Sequence, residues 1–193
     1  MLLVVQFLVI KIMSKIIFLD IDGVLNVIPQ GEDKYGPLFH SHFVSNLEIL
    51  INTTSSKIVI ASSWRKSGLP HIKRMWEFRN YPGEIIDVIP SLFIGKQNID
   101  FYNGRMFKHP TPKVPGYIIP RGCEIEYWLI KLSQEVLDEP ITHYVILDDD
   151  NDMLLNQQEH YVNCSSSTDG DCVDIGYGLT KKVMYDAMFI LNK

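Results

Sequence analysis

A Rossmann-like α/β fold, a parallel sheet with helices on both faces, is what the chain predicts of itself. Three observations carry that expectation. The runs at residues 16–19, 58–61 and 144–147 are continuously apolar, as strands buried on both faces are. Stretches with helical spacing lie between and after them, and alternating strands and helices indicate a parallel sheet. Each strand also ends in polar side chains: Asp20, Ser62-Ser63 and Asp148-Asp149. Open parallel sheets bind ligands outside the carboxyl ends of their strands, so these side chains fall where a site belongs.

Taken in order, residues 2–10 form an apolar run broken only by Gln6 and followed by Lys11. The run lacks the flanks of a secretory signal and is about half the ~20 residues that span a bilayer. Residues 1–14 are therefore expected to be an extension ahead of the domain, with Met13 as the true start. The rival reading is an added strand or a membrane-skimming segment. Phe43, Leu47, Leu50 and Ile51 mark a first helix, with Ser41 as its expected N-cap. Ile125, Leu129, Leu132 and Val136 mark a second, beginning near Glu124. Val183, Met184, Ala187, Ile190 and Leu191 mark a third, capped by Thr180. Residues 70–120 hold seven of the ten prolines and only short apolar pieces. They read as an irregular, Pro-rich, basic insertion with two or three short strands inside a single domain over 15–193.

Composition narrows the function classes. A chain of 193 residues suits one core, which at this size buries roughly 70% of the unfolded surface. Charged residues at 21% and apolar residues at 46% are not the balance of a disordered chain. The net charge of −5 excludes bulk coating of nucleic acid. Its distribution is uneven, however. Residues 65–121 carry ten Lys plus Arg against four Asp plus Glu, and the remainder carries eight against nineteen. A basic segment beside an acidic centre would attract a phosphorylated substrate. Three cysteines without C-x-x-C spacing, and histidines without an H-x-x-x-H pair, give neither a disulfide scaffold nor a zinc site. Free thiols and a cytoplasmic location are expected.

The strongest chemical signal is Asp20-Ile21-Asp22-Gly23 at the end of a buried strand. Two carboxylates so close repel, and they need a cation, a shared proton or both. A calcium loop would need an acidic residue at loop position twelve, and Gly31 stands there. Asp148, Asp149, Asp150 and Asp152 form a second cluster that calls for a counterion. Asp169, Asp171 and Asp174 resemble a calcium-loop fragment without its remaining ligands and read as a solvated loop.

Residues 20–25 match the D-x-D-G-[VT]-L signature of the haloacid dehalogenase-like (HAD) phosphohydrolases, which the chain resembles from about residue 15 to its end. Residues 57–62 look like the second motif of that family, and residues 148–152 like the fourth. Ser62-Ser63-Trp64-Arg65, Arg121-Gly-x-Glu-Ile with Trp128, and Gly178-Leu179-Thr180 resemble its small capless branch of RNA-repair and polynucleotide phosphatase domains. The resemblance implies a Mg²⁺-dependent phosphomonoester hydrolase. Asp20 would be the nucleophile, forming an aspartyl-phosphate, and Asp22 the general acid and base. Asp20, the Asp22 carbonyl and Asp148 would hold Mg²⁺, with Asp149 as the next candidate ligand. Asp152 would lie in the outer shell and Asp150 in solvent. Ser62, or alternatively Ser63, would donate to the phosphoryl group. Arg121 would neutralise it, with Lys113 as the alternative. Arg65 would bind substrate phosphate or be solvated, while Trp64 and Trp128 read as core.

Fewer than forty residues separate Asn26 from Ser62, which excludes a large cap there. An open site accepts large substrates, including nucleic-acid ends. Two other readings remain open at this level: a phosphotransferase or mutase using the same intermediate, and a non-catalytic phosphate-binding module.

Overall fold

Strand β1 (Ser14–Leu19) lies at the centre of a five-stranded sheet, with residues 16–19 wholly buried. The computed structural model describes residues 14–28, 30–92, 119–165 and 177–193. After β1 come a short antiparallel hairpin, β2 (Glu32–Asp33) and β3 (Gly36–Pro37), and helix α1 (Ser41–Thr54). Strand β4 (Lys57–Ile60), a 3₁₀ turn (Ser63–Ser67), helix α2 (Leu69–Phe78) and strand β5 (Ile85–Val88) follow. Beyond the next described residues, α3 (Arg121–Tyr127) runs through a π-helical turn (Trp128–Leu132) into α4 (Ser133–Val136). Strands β6 (Ile141–Asp148) and β7 (Tyr161–Asn163) and helix α5 (Lys181–Leu191) complete the fold.

The strand order is β5-β4-β1-β6-β7, and every pairing in this sheet is parallel. The path runs outward from β1 to β5 and then crosses back to β6. Right-handed crossovers in opposite directions must place their helices on opposite faces. Accordingly, Ile17, Leu19, Ile58 and Ile60 pack against α1, α2 and α5, while Ile16, Phe18 and Val59 pack against Ile125 and Trp128. The result is the three-layer α/β arrangement expected. The reversal of direction beside β1 makes a crevice at its carboxyl end.

Three details differ from the sequence reading. Residues 70–89, expected to be irregular with short strands, contain such a strand in β5 but also most of helix α2. Pro70 sits at the start of α2, where a missing N–H costs nothing, and Ile72, Met75 and Trp76 bury that helix in the core. His40, not Ser41, is the N-cap of α1, because Gln30 Oε1 reaches across and accepts the Ser41 N–H at 2.9 Å. Helix α3 begins at Arg121, not near Glu124, because the Asp152 carboxylate accepts the Arg121 N–H at 2.8 Å. The expected Thr180 cap is present, accepting from Val183 N–H. The apolar run at 2–10, most of the Pro-rich segment including Lys113, and the acidic loop with Cys172 lie outside the described residues. Cys123 and Cys164 are buried free thiols.

Candidate active site

The three central strands end at one place. Asp20 follows β1 directly, and its N–H continues the ladder by donating to the Leu147 carbonyl at 2.9 Å. Asp148 is the last residue of β6, and Ser62 comes two residues after β4; both are fully buried. Beyond Asp20 the chain makes one tight turn, in which Leu25 and Asn26 both donate N–H to the Ile21 carbonyl, at 2.9 and 2.8 Å. Gly23 has a φ of +77° in that turn.

Oxygen atoms of Asp20, Asp148 and Asp149 lie within 4.8 Å of one another. Arg121 reaches into the same space from the start of α3. Its Nη1 stands 3.1 Å from Asp20 Oδ1 and 3.3 Å from Asp148 Oδ2, and it donates to the Ala61 carbonyl. One guanidinium thus touches the carboxyl ends of all three central strands. Burial works against its charge, but Asp148 and Asp20 outweigh burial and raise its pKa. Burial is also the largest cause raising the pKa of Asp148, opposed by Arg121 and reinforced by Asp20. Asp149 is raised by burial and then by Asp20. These carboxylates are held together against their repulsion, with the Arg121 guanidinium among them.

The residues present suit a divalent ion. Asp148 Oδ1 accepts the Asp150 N–H at 3.0 Å, but among the described residues buried Oδ2 has no hydrogen-bond partner and stands 3.3 Å from Arg121 Nη1. An oxygen so placed, beside two further carboxylates, makes a hard donor set of the kind Mg²⁺ takes. Gly23 permits the arrangement, since a Cβ there would stand 2.2 Å from the Asp149 carboxyl carbon. Gly23→Ala is therefore expected to displace Asp149 and weaken Mg²⁺ binding by about tenfold or more, read by calorimetric titration. Unchanged affinity would show that Asp149 takes no part in binding the ion.

The other candidates fall into place around this group. Ser62 Oγ accepts the Trp64 N–H at 3.4 Å, and Ser63 next to it is exposed on the turn. Asp22 lies outside the carboxylate group. Its Oδ1 accepts from Asn26 Nδ2 at 2.7 Å and its Oδ2 from Trp64 Nε1 at 2.9 Å. Asp150 is exposed, and Asp152 caps α3 instead of joining the group. Arg65 is committed elsewhere. It pairs with Glu124 at 2.5 Å and donates to the carbonyls of Ala61 and Ser62 at 3.0 and 2.9 Å, which braces the end of β4.

Sequence reasoning missed Asn26, Trp64 and Glu124. For Trp64 a signal existed, its place two residues after Ser62 in Ser-Ser-Trp-Arg, but an indole reads as core. Trp128 is indeed core, fully buried with Nε1 donating to Asp87 at 2.6 Å.

Residues 16–169 match the family described as "HAD domain in Swiss Army Knife RNA repair proteins". No curated protein and no solved structure matches the chain. No helix among the described residues is long and apolar enough to cross a membrane.

Proposed function

The chain belongs to this family of HAD domains, and from that premise we propose that it is a phosphomonoester hydrolase acting on nucleotides or phosphorylated nucleic-acid ends. The observation that carries the proposal is the grouping of Asp20, Asp148, Asp149 and Arg121 at the crevice of the sheet, with Asp22 two residues beyond the first. In this reading Asp20 attacks phosphorus in line and becomes an aspartyl-phosphate. Asp22 gives its proton to the leaving oxygen and then takes one from the water that releases phosphate. Asp20, Asp148, Asp149 and the Asp22 carbonyl would hold Mg²⁺, which when bound offsets the repulsion between anionic nucleophile and anionic substrate. Arg121 takes the charge of the phosphoryl oxygens, and Ser62 donates its hydroxyl to one of them.

A nucleotide is favoured by what lies beside the carboxylates. Gly23, Asn26, Val27, Asp149, Ser165 and Tyr177 line an open hollow of about 340 Å³, at the small end of the range for ligand sites. Tyr177 is 44% exposed there, so its ring is accessible for stacking with a base. The test is a comparison, with Mg²⁺, of oligonucleotides bearing 3′- or 5′-phosphate, mononucleotides and sugar phosphates. The highest kcat/KM is expected with a nucleotide or oligonucleotide; a preference for sugar phosphates would contradict the substrate class. Tyr177→Ala should raise KM for the nucleotide about tenfold, given that stacking contributes roughly 1–3 kcal/mol per base, and leave p-nitrophenyl phosphate unaffected.

A further inference from the structure

We propose that Trp64 is the positioning residue for the acid–base carboxylate Asp22, and that the β2–β3 hairpin holds Trp64 in place. The proposal rests on the phosphatase reading above. Asp22 is exposed, so packing does not fix its rotamer. Two N–H donors do so, Asn26 Nδ2 on Oδ1 and Trp64 Nε1 on Oδ2. Asn26 sits on the same turn as Asp22 and moves with it. Trp64 is 42 residues away, in the 3₁₀ turn that begins beside Ser62, so it ties the acid–base group to the end of β4.

The indole is itself held. It meets Phe39 edge-to-face with ring centroids 5.5 Å apart, and it lies close under the hairpin, 3.8 Å from where a Cβ on Gly36 would stand. Phe39 stacks on Tyr81 at 4.9 Å. Arg79 closes the hairpin from below, donating to both oxygens of Asp33, at 2.8 and 3.0 Å, and to the Gly36 carbonyl at 2.9 Å. The Arg79 side chain is only 2% exposed, so this clamp is part of the interior. Contacts thus run from Arg79 through the hairpin and Trp64 to one oxygen of Asp22.

The chemistry makes this alignment matter unequally for different substrates. In the first half-reaction the Asp22 proton passes to the leaving oxygen while its bond to phosphorus breaks and the Asp20 oxygen bonds to phosphorus. In the second, a water oxygen bonds to phosphorus and gives its proton to Asp22. The bond from Asp20 to phosphorus breaks, and orthophosphate leaves. A nitrophenolate departs readily without a proton, whereas an alkoxide does not. Misalignment of Asp22 therefore slows the second half-reaction equally for every substrate but penalises the first, which kcat/KM reports, selectively for alkyl phosphates.

Trp64→Phe keeps an aromatic ring, smaller than the indole, and removes the N–H. With rates referred to the fraction of protein that melts cooperatively, kcat/KM for p-nitrophenyl phosphate should stay within about threefold of wild type, while kcat/KM for an alkyl phosphate falls about 10–100-fold. In an Asp22→Asn background the same substitution should add no further loss, because both act through one carboxylate. Equal losses of kcat/KM on the two substrates, or fully additive effects in the double variant, would overturn the proposal. Wild-type protein inactive on both substrates would instead refute the phosphatase reading, so the two failures are distinguishable.

Discussion

Asp20→Asn is expected to abolish Mg²⁺-dependent phosphatase activity, by at least about 10³-fold, without loss of the fold. The amide cannot attack phosphorus, so the step that divides the reaction in two is lost, not slowed. The fold should survive because Asn fills the same space and the Asp20 N–H stays bonded to Leu147. Stability should even hold or rise slightly when the ion is absent. Asp20 and Asp148 share one cation, Arg121, and neutralising one carboxylate relieves their repulsion. A thermal melt beside the activity assay separates the two effects. Residual activity within tenfold of wild type would refute the role of Asp20.

Arg121→Met should cost both activity and stability. Methionine replaces much of the stem but not the charge that faces Asp20 and Asp148, whose side chains are 8% and 0% exposed. Removing one partner of such a buried group leaves uncompensated charge, for which losses of about 3–5 kcal/mol are typical. The Ala61 carbonyl also loses a donor, although Arg65 still serves it at 3.0 Å. Activity should fall by about 10²-fold or more, since the phosphoryl oxygens lose their guanidinium. Mg²⁺ should raise the melting temperature of the variant more than that of wild type, because the ion then takes over the charge that Arg121 supplies to these carboxylates. Wild-type stability in the presence of a chelator would contradict the arrangement described.

Much of the fold was legible because buried strands leave a plain trace. The runs at 16–19, 58–61 and 144–147 fall in β1, β4 and β6, or within a residue of them, and the polar residues after them meet at the crevice. Helix α2 was hidden by proline content, whereas β5 falls among the short strands expected there. Pro70 and Pro82 mark a helix start and a turn, and composition alone cannot tell these from an irregular chain. The count of basic residues misled in part for a similar reason. Arg65 and Arg79 are spent on Glu124 and Asp33, so they are internal partners, not a field facing substrate. Trp64 read as core because its N–H acts on a residue 42 positions away, a pairing with no local periodicity. The Gly23–Asp149 approach is likewise tertiary: the sequence supplies the glycine, and only the fold shows that Asp149 occupies the space a Cβ would fill.

The most direct test of the central claim is to quench the enzyme in acid during turnover and map phosphorylation by peptide mass spectrometry. One phosphoryl group is expected on the peptide containing Asp20, lost on treatment with hydroxylamine and absent from Asp20→Asn. Rapid turnover with a label on any other residue would contradict the account, as would a label that persists in Asp20→Asn.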